Sequence, residues 1–200
     1  MKAWTRWCGA ALLLGPSLLV AQGVPPELER LRTPQIDSRP AEWMLLVEFQ
    51  GDPRTAGAMA MGLLFQLYYQ IPQTAKGPQQ PAPRARWPVS LDGPRAEWIG
   101  LYALPVPEAV TVIPAHVAPT GARATLTKWD YGTVVEVLHL GPYDQEMGTL
   151  QRLQAFARTN GYVITGGHEE EYIRGPTMAG PGDPATYVTI LRYRVTKGTD

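Results

Sequence analysis

Residues 134–144 read VVEVLHLGPYD, residues 160–162 read NGY, and residues 166–172 read GGHEEEY. The first run is an apolar strand with Val135, Val137 and His139 on one face, broken at Gly141 and Pro142. A helix follows from about Asp144 to Arg158. Met147, Leu150, Leu153 and Ala157 mark its apolar stripe; Asp144 and Glu146 sit in its first turn and Arg158 in its last, as the helix dipole favours. Asn160 and Gly161 form its stop. The last run is a strand in which alternation puts Glu170 and Tyr172 on one face and Glu169 and Glu171 on the other. One acid is thereby set apart from three. If the Tyr172 face is covered, Glu170 is a carboxylate beside an aromatic ring. If it is not, the run is a solvated acidic edge strand, because acids are rarely buried unless paired.

The same order of elements occurs earlier in the chain. Trp43, Leu45, Val47 and Phe49 alternate along a half-buried strand, Gly51 breaks it, and Asp52 with Pro53 supplies an N-cap and a first-turn proline. The run from Ala56 to Ile71 has no charge and is apolar all round, which predicts a helix buried on most of its surface; it is too short for a membrane span. Placing Gly51 on Gly141 also places Trp98 to Val106, WIGLYALPV, on Val188 to Thr196, VTILRYRVT, with no shift in register. The expectation is an α+β fold with two pseudo-symmetric strand, helix, strand, strand units and antiparallel sheets carrying one long helix each. The Pro-rich segment from Pro72 to Pro94 falls where residues 166–172 would have their counterpart, so that strand is short or displaced. Ala124 to Trp129 and Thr133 to Leu140 flank Asp130, Tyr131 and Gly132, a compact hairpin signal.

The ends and the composition bound the class. The 200 residues fit one domain, and a formal charge of +0 with a pI near 6.8 gives no electrostatic signature of nucleic-acid or anionic-membrane binding. Lys2 and Arg6 followed by an apolar run from Ala10 to Val20 read as a secretory signal over residues 1–23, with small residues Ala21 and Gly23 near the cut. The predicted mature protein is periplasmic or extracellular and keeps no stable membrane span; an uncleaved anchor is the alternative. Cys8 is the only cysteine and precedes the apolar run, which argues against a lipid anchor and leaves a mature domain held by core packing alone. Residues 24–40 read as a polar, Pro-containing linker. With 20 Pro, 20 Gly and Asn160 as the only Asn, the composition leans toward a thermophilic source.

Gly141, Pro142, Tyr143 and Asp144, then Gly161 and Tyr162, then Glu170 and Tyr172, resemble in order the second half of the GyrI-like domain, also called the AraC-type effector-binding domain. Leu104, Pro105, Val106, Pro107 and Glu108 look like the end of that family's first unit. The resemblance covers residues 41–197 and is strongest after Ala124. It implies two units facing each other across a groove, where drug-like effectors contact the acid matching Glu170. Glu169 stands where the family often has Arg or a small residue, and Glu171 where an apolar residue is usual, so the outer face of this strand is expected to be acidic. Nothing before residue 41 could hold a helix-turn-helix, so the expectation is a sensor domain without a DNA-reading part and without nucleic acid as a partner.

No nucleophile elbow, Walker loop, dinucleotide turn or HExxH motif is present. His116, His139 and His168 are scattered, and no metal or cofactor is expected. The candidate ligand-binding set is Glu170, Tyr172, Tyr143, Trp98, Tyr102, Tyr68 and His139, with Tyr69, Trp129 and Tyr131 as further rings; each aromatic competes with a plain core role. The first reading is a binding module for aromatic or amphipathic small molecules, cationic ones among them. The second is a hydrolase of reactive small molecules, which the resemblance implies for some members, with Glu170 as base and Tyr172 or Tyr143 as proton donor. A third is haem binding through His139, because SOUL proteins share the duplicated fold. Any protein partner is unknown.

Overall fold

The computed structural model describes residues 23–88, 94–177 and 180–198. The expected signal segment, apart from Gly23, lies outside the described residues. Among the described residues, nine strands form one antiparallel sheet system: β1 (Gln35–Arg39), β2 (Glu42–Gln50), β3 (Arg84–Arg86), β4 (Ile99–Pro105), β5 (Ala122–Trp129), β6 (Gly132–Leu140), β7 (Tyr162–Ile164), β8 (Glu169–Arg174) and β9 (Val188–Lys197). Their order is β1-β6-β9-β8-β3-β4-β2-β5, with β7 added on β9. Two helices, α1 (Pro53–Gln70) and α2 (Glu146–Thr159), cover one face, α1 over β2 and β4, α2 over β6, β7 and β9.

The order is a palindrome in the two halves. β2 and β6 are offset by ninety residues, and each ends at a glycine with positive φ, 146° at Gly51 and 118° at Gly141, a backbone that favours glycine. The Gly51 amide donates to the Trp98 carbonyl, and the Gly141 amide to the Tyr187 carbonyl. Trp98 therefore corresponds to Tyr187 and not to Val188 as the sequence register suggests. One residue is enough to exchange the two faces of a strand. Tyr102, matched to Arg192 by the sequence, in fact corresponds to Leu191, and both point toward the helices.

β3 is only three residues long, as the Pro-rich segment requires, and it joins the halves by pairing with β8. The Asp130 turn is not a hairpin. β5 pairs with β2, whereas β6 pairs with β1 and β9. β5 and β6 lie six places apart in the order, about 29 Å in a flat sheet at about 4.8 Å per strand. The link from Trp129 to Gly132 reaches only about 11 Å. The sheet must therefore curl until its ends meet. The link from β1 to β2 crosses beside the first, since Arg39 pairs with Gly132 and Glu42 with Trp129. Each half thus lends its first strand to the other. Residues 24–40, read as a linker, instead supply a 3-10 turn (Pro26–Arg32) that packs Leu31 on the sheet, and then β1 itself.

The concave face encloses Met44, Leu46, Ala103, Trp129, Tyr131 and Val134 around a buried ionic group. At its centre, Arg192 is 1 % exposed and donates to Glu136 (2.8 Å), Glu169 (2.5 Å) and Glu171 (3.0 Å). Arg84 reaches Glu42 and the Tyr131 hydroxyl, and Arg86 binds Glu169 at 2.6 Å while lying 3.8 Å over the Trp129 ring. The face expected to be a solvated acidic surface is the opposite: Glu169 and Glu171 are buried and held by arginines. Burial works against the Glu171 charge, but Arg84, Arg192 and Arg39 outweigh it and bring its pKa below the usual value.

On the convex face, Leu45, Val47 and Phe49 meet Ala60, Leu63, Leu64 and Leu67 of α1, and Val135, Val137, Leu191 and Tyr193 meet Leu150, Leu153 and Ala157 of α2. α1 buries only one side; Met59 and Tyr69 are exposed, so its even apolarity does not mean burial all round. The stripe of α2 begins at Glu146 and not at Met147, which is 58 % exposed. Among the described residues no helix is long and apolar enough to cross a membrane.

Candidate functional site

The two helices leave the central strands β3 and β8 between them as the floor of a groove. Ala85 of β3 pairs with Glu170 of β8, and their partners on the far sides, Tyr102 and Leu191, are equivalent. The pseudo-two-fold therefore passes between Ala85 and Glu170. Two residues further along each strand stand Trp87 and Tyr172, also equivalent, and both turn toward the single acid. Trp87 Nε1 donates to Glu170 Oε1 at 2.6 Å, and the Tyr172 hydroxyl donates to Oε2 at 2.6 Å. His168 Nε2 lies 2.9 Å from Oε1. Glu170 is 7 % exposed, in the middle of the sheet and not on an edge strand.

Rings enclose this carboxyl. Trp87 meets Trp98 and Tyr102 edge-on at 6.1 and 5.9 Å and stacks on His168 at 6.5 Å; Tyr143 contacts Tyr172 at 5.5 Å and Tyr187 at 5.1 Å. Close packing holds the strands that carry them. A Cβ on Gly167 would lie 1.7 Å from the Trp87 carbonyl oxygen, and one on Gly175 would lie 2.4 Å from the Tyr143 hydroxyl, so neither position admits a side chain without a shift. Burial and then the nearby Glu170 raise the pKa of Tyr172 and of Tyr102 well above that of a free phenol. Tyr143 is raised by burial, then by Tyr187, Glu170 and Glu146. These hydroxyls stay neutral donors throughout the physiological range.

An open cavity of about 370 Å³ adjoins the Trp87 and His168 end of the groove, lined further by Gln154, Ile164, Gly167 and Tyr193. At the other end Glu146 enters from the first turn of α2. It is 6 % exposed, and its Oε1 is buried without a hydrogen-bond partner. Burial, then repulsion from Glu170, pushes its pKa up to about 9. The Glu170 carboxyl, held by indole, phenol and imidazole groups within the rings, forms a cradle suited to a cation with an aromatic body.

The sequence-derived set divides. Glu170, Tyr172, Tyr143 and Tyr102 converge, and Trp98 backs Trp87. Tyr68 does not join them: it is buried at the far end of α1, where its hydroxyl donates to the Ala75 carbonyl at 2.9 Å. His139 does not face the groove floor either. Its Nε2 donates to the Pro142 carbonyl at 3.0 Å and its Nδ1 lies 3.1 Å from Thr149 Oγ1, so both nitrogens tie β6 to the start of α2, with none left for a haem iron. Tyr131 and Trp129 belong to the concave face. Trp87 and Glu146 were not among the sequence candidates. Trp87 is masked by its Pro-rich surroundings, but the spacing 146, 150, 153, 157 is a regular helical face that already included Glu146. Among the described residues no group of His, Cys, Asp and Glu is placed to hold a metal ion.

No family model matches the sequence, and no curated protein matches it. Solved structures do match. An uncharacterised conserved protein from Listeria innocua aligns at TM-score 0.63 with 21% identity, over 82% of this chain and 93% of that one. A hydrolase from Listeria innocua aligns at 0.59 with 21% identity, over 82% and 92%. EcmrR, in its complex with DNA, aligns at 0.61 with 17% identity, over 86% of this chain and 60% of that one; its C-terminal domain alone gives 0.56 with 14% identity, over 82% and 98%. At these identities the likenesses show the fold, and the fold of this chain is the GyrI-like one.

Proposed function

We propose that the protein binds small organic cations with an aromatic or amphipathic body in the groove, with Glu170 as the polar anchor. One observation carries this reading. Of three consecutive buried acids, Glu169 and Glu171 are paired with arginines, whereas Glu170 is held by an indole N–H, a phenol O–H and an imidazole within an aromatic enclosure. The indole meets one oxygen and the phenol the other without supplying a counter-charge, so an incoming cation finds a carboxylate to pair with in a place where water screens it little. The cavity beside Trp87 and His168 is the entry side.

The test is calorimetric titration with 1-aminomethylnaphthalene. Glu170→Gln is expected to weaken binding several-fold or more, since a charge-assisted contact exceeds a neutral one by about 1 kcal/mol. Glu108→Gln, which removes an exposed charge, is the control. Equal effects from the two changes would refute a defined site. Glu171→Gln cannot serve as this control, because Glu171 belongs to the ionic group that holds the fold.

A second reading, hydrolysis, is favoured by the 2.6 Å bond between Tyr172 and Glu170, an acid and a proton donor within transfer distance, and by a hydrolase among proteins of this fold. Glu170→Gln that binds a reactive substrate without turning it over would establish it. Export, with cleavage near Ala21 to Gly23, is part of the proposal; an intact Met1 on the mature protein by N-terminal sequencing would overturn that part.

A further inference from the structure

Glu146 is hard to explain as a structural residue. It occupies the buried end of the α2 stripe, where an apolar side chain would pack at no electrostatic cost; the residue ninety positions earlier, at the same place on α1, is the buried Ala56. Its Oε1 lacks a hydrogen-bond partner, and an unmet buried polar atom is costly. Glu170 presents a second carboxyl close enough to be felt at Glu146, at Tyr143 and at Tyr172. The corresponding place on the first half's strand is Ala85. Both acids are thus found in one half only, and both stand in the same groove.

We propose that Glu146 and Glu170 form a two-carboxyl site that selects organic molecules with two cationic nitrogens over those with one, Glu146 contacting the second nitrogen. This rests on the reading of the groove as a cation site and names its ligand class. Without ligand, Glu146 keeps its proton, because two like charges in one buried place repel and burial disfavours each. A monocation pairs with Glu170 and leaves that proton in place. A dication brings a second positive charge beside Glu146, which then ionises, and its proton passes to the buffer. The titratable groups that interact with Glu146 are Glu170 and Tyr172 from β8 and Tyr143 ahead of α2; Tyr187 packs on Tyr143, and His168 and Tyr102 lie beside Glu170. The tyrosines whose pKa is raised, Tyr143, Tyr172 and Tyr102, release no proton near neutrality.

The experiment compares naphthalenes bearing one or two aminomethyl groups, the second placed at several ring positions, on the intact protein at pH 7. The wild type is expected to prefer the best bis compound by on the order of tenfold. Its binding should release about one proton, read from the dependence of the calorimetric heat on buffer ionisation enthalpy. Glu146→Gln, isosteric with the protonated acid, should cancel preference and proton release while keeping the affinity for the mono compound. Glu146→Ala, which copies Ala56, should do the same. A preference that survives in both variants, or dication binding without proton release, overturns the inference. The mono compound separates the two claims: if Glu170→Gln weakens it and the wild type still shows no preference for two charges, the groove reading stands and only the role of Glu146 falls. If neither compound binds, both fall.

Discussion

On one face of β8, Glu169 and Glu171 meet Arg86, Arg84 and Arg192 inside the curl of the sheet; on the other, Glu170 meets Trp87, Tyr172 and His168 beneath the helices. All three acids are buried, and the chemistry of their partners separates their roles. Arginine supplies both donors and an opposite charge, so the acids of the concave face are met within the sheet. Phenol and indole supply donors alone, so the groove face keeps a demand that an outside molecule can meet. Across the junction the first half contributes Arg84, Ala85 and Arg86, and the second Glu171, Glu170 and Glu169. Charge pairing zips the two halves on one side of the sheet and leaves the acid free of a cationic strand partner on the other.

The strongest challenge to this contrast is at Arg192. Arg192→Met leaves Glu136, Glu169 and Glu171 without their shared cation, and breaking a buried network of this kind is expected to cost about 3–5 kcal/mol in urea unfolding. A loss under about 1 kcal/mol would mean that the concave face is not what holds the halves. Acid should act in the same place. The folded pKa of Glu171 is below its unfolded value near 4.5, so its contribution is complete above that pH and is lost as pH falls through the folded value. Glu171→Gln should flatten this acid limb of the stability curve.

Glu146 should respond in the opposite sense. Its folded pKa of about 9 is above the unfolded 4.5, so between these values the unfolded chain gives up a proton that the fold keeps, and stability falls as pH rises. Glu146→Gln removes that dependence. The variant should match the wild type near pH 4 and exceed it by about 1 kcal/mol or more at pH 8, since one pKa unit corresponds to about 1.4 kcal/mol. No gain at pH 8 would show that the acid is accommodated ionised.

Glu170→Gln sharpens the comparison at a smaller scale: its unfolding free energy should change by less than about 1.5 kcal/mol, the worth of one ordinary hydrogen bond, while cation binding falls. The smallest effect is expected at the exposed pair Arg123 and Glu48, side chains 70% and 39% accessible and 3.4 Å apart. Arg123→Ala should cost under about 0.5 kcal/mol. A larger loss there would mean that burial does not set the scale.

Much of the architecture was legible because it rests on local signals. The alternation of Trp43 to Phe49, the glycine breaks at 51 and 141, and the helix stop at Asn160 each reflect one stretch of backbone. What escaped depends on partners far along the chain. Asp130, Tyr131 and Gly132 carry the chemistry of a turn, and Gly132 adopts φ 65°, but a turn residue bends the chain without choosing which strand comes next to it. The slip between Trp98 and Val188 escaped because both strands are largely buried on both faces and β9 carries Arg192 inside the sheet, so polarity did not mark an outward face and the pattern alone did not fix the register. Glu169 and Glu171 looked solvated because the arginines that cover them lie on β3 and β9. In the site, Glu170 and Tyr172 followed from alternation. Glu146 did not, because an acid in a first helical turn has an ordinary explanation in the helix dipole.

The exchanged edge strands bear on how such a chain comes into being. β1 finds its partner about a hundred residues later, Gln35 against Glu136, and β5 returns to β2 from the far side of α1. Long-range closure of this kind makes folding late and slow, because the entropic cost of bringing the ends together comes before the contacts that offset it. Neither half completes its sheet without a strand from the other. The arrangement is that of a domain-swapped pair within one polypeptide, each half completing its sheet with the other's first strand. Joined in one chain, the two halves differ where it matters, Ala56 and Ala85 against Glu146 and Glu170, an asymmetry that a dimer of identical chains cannot express.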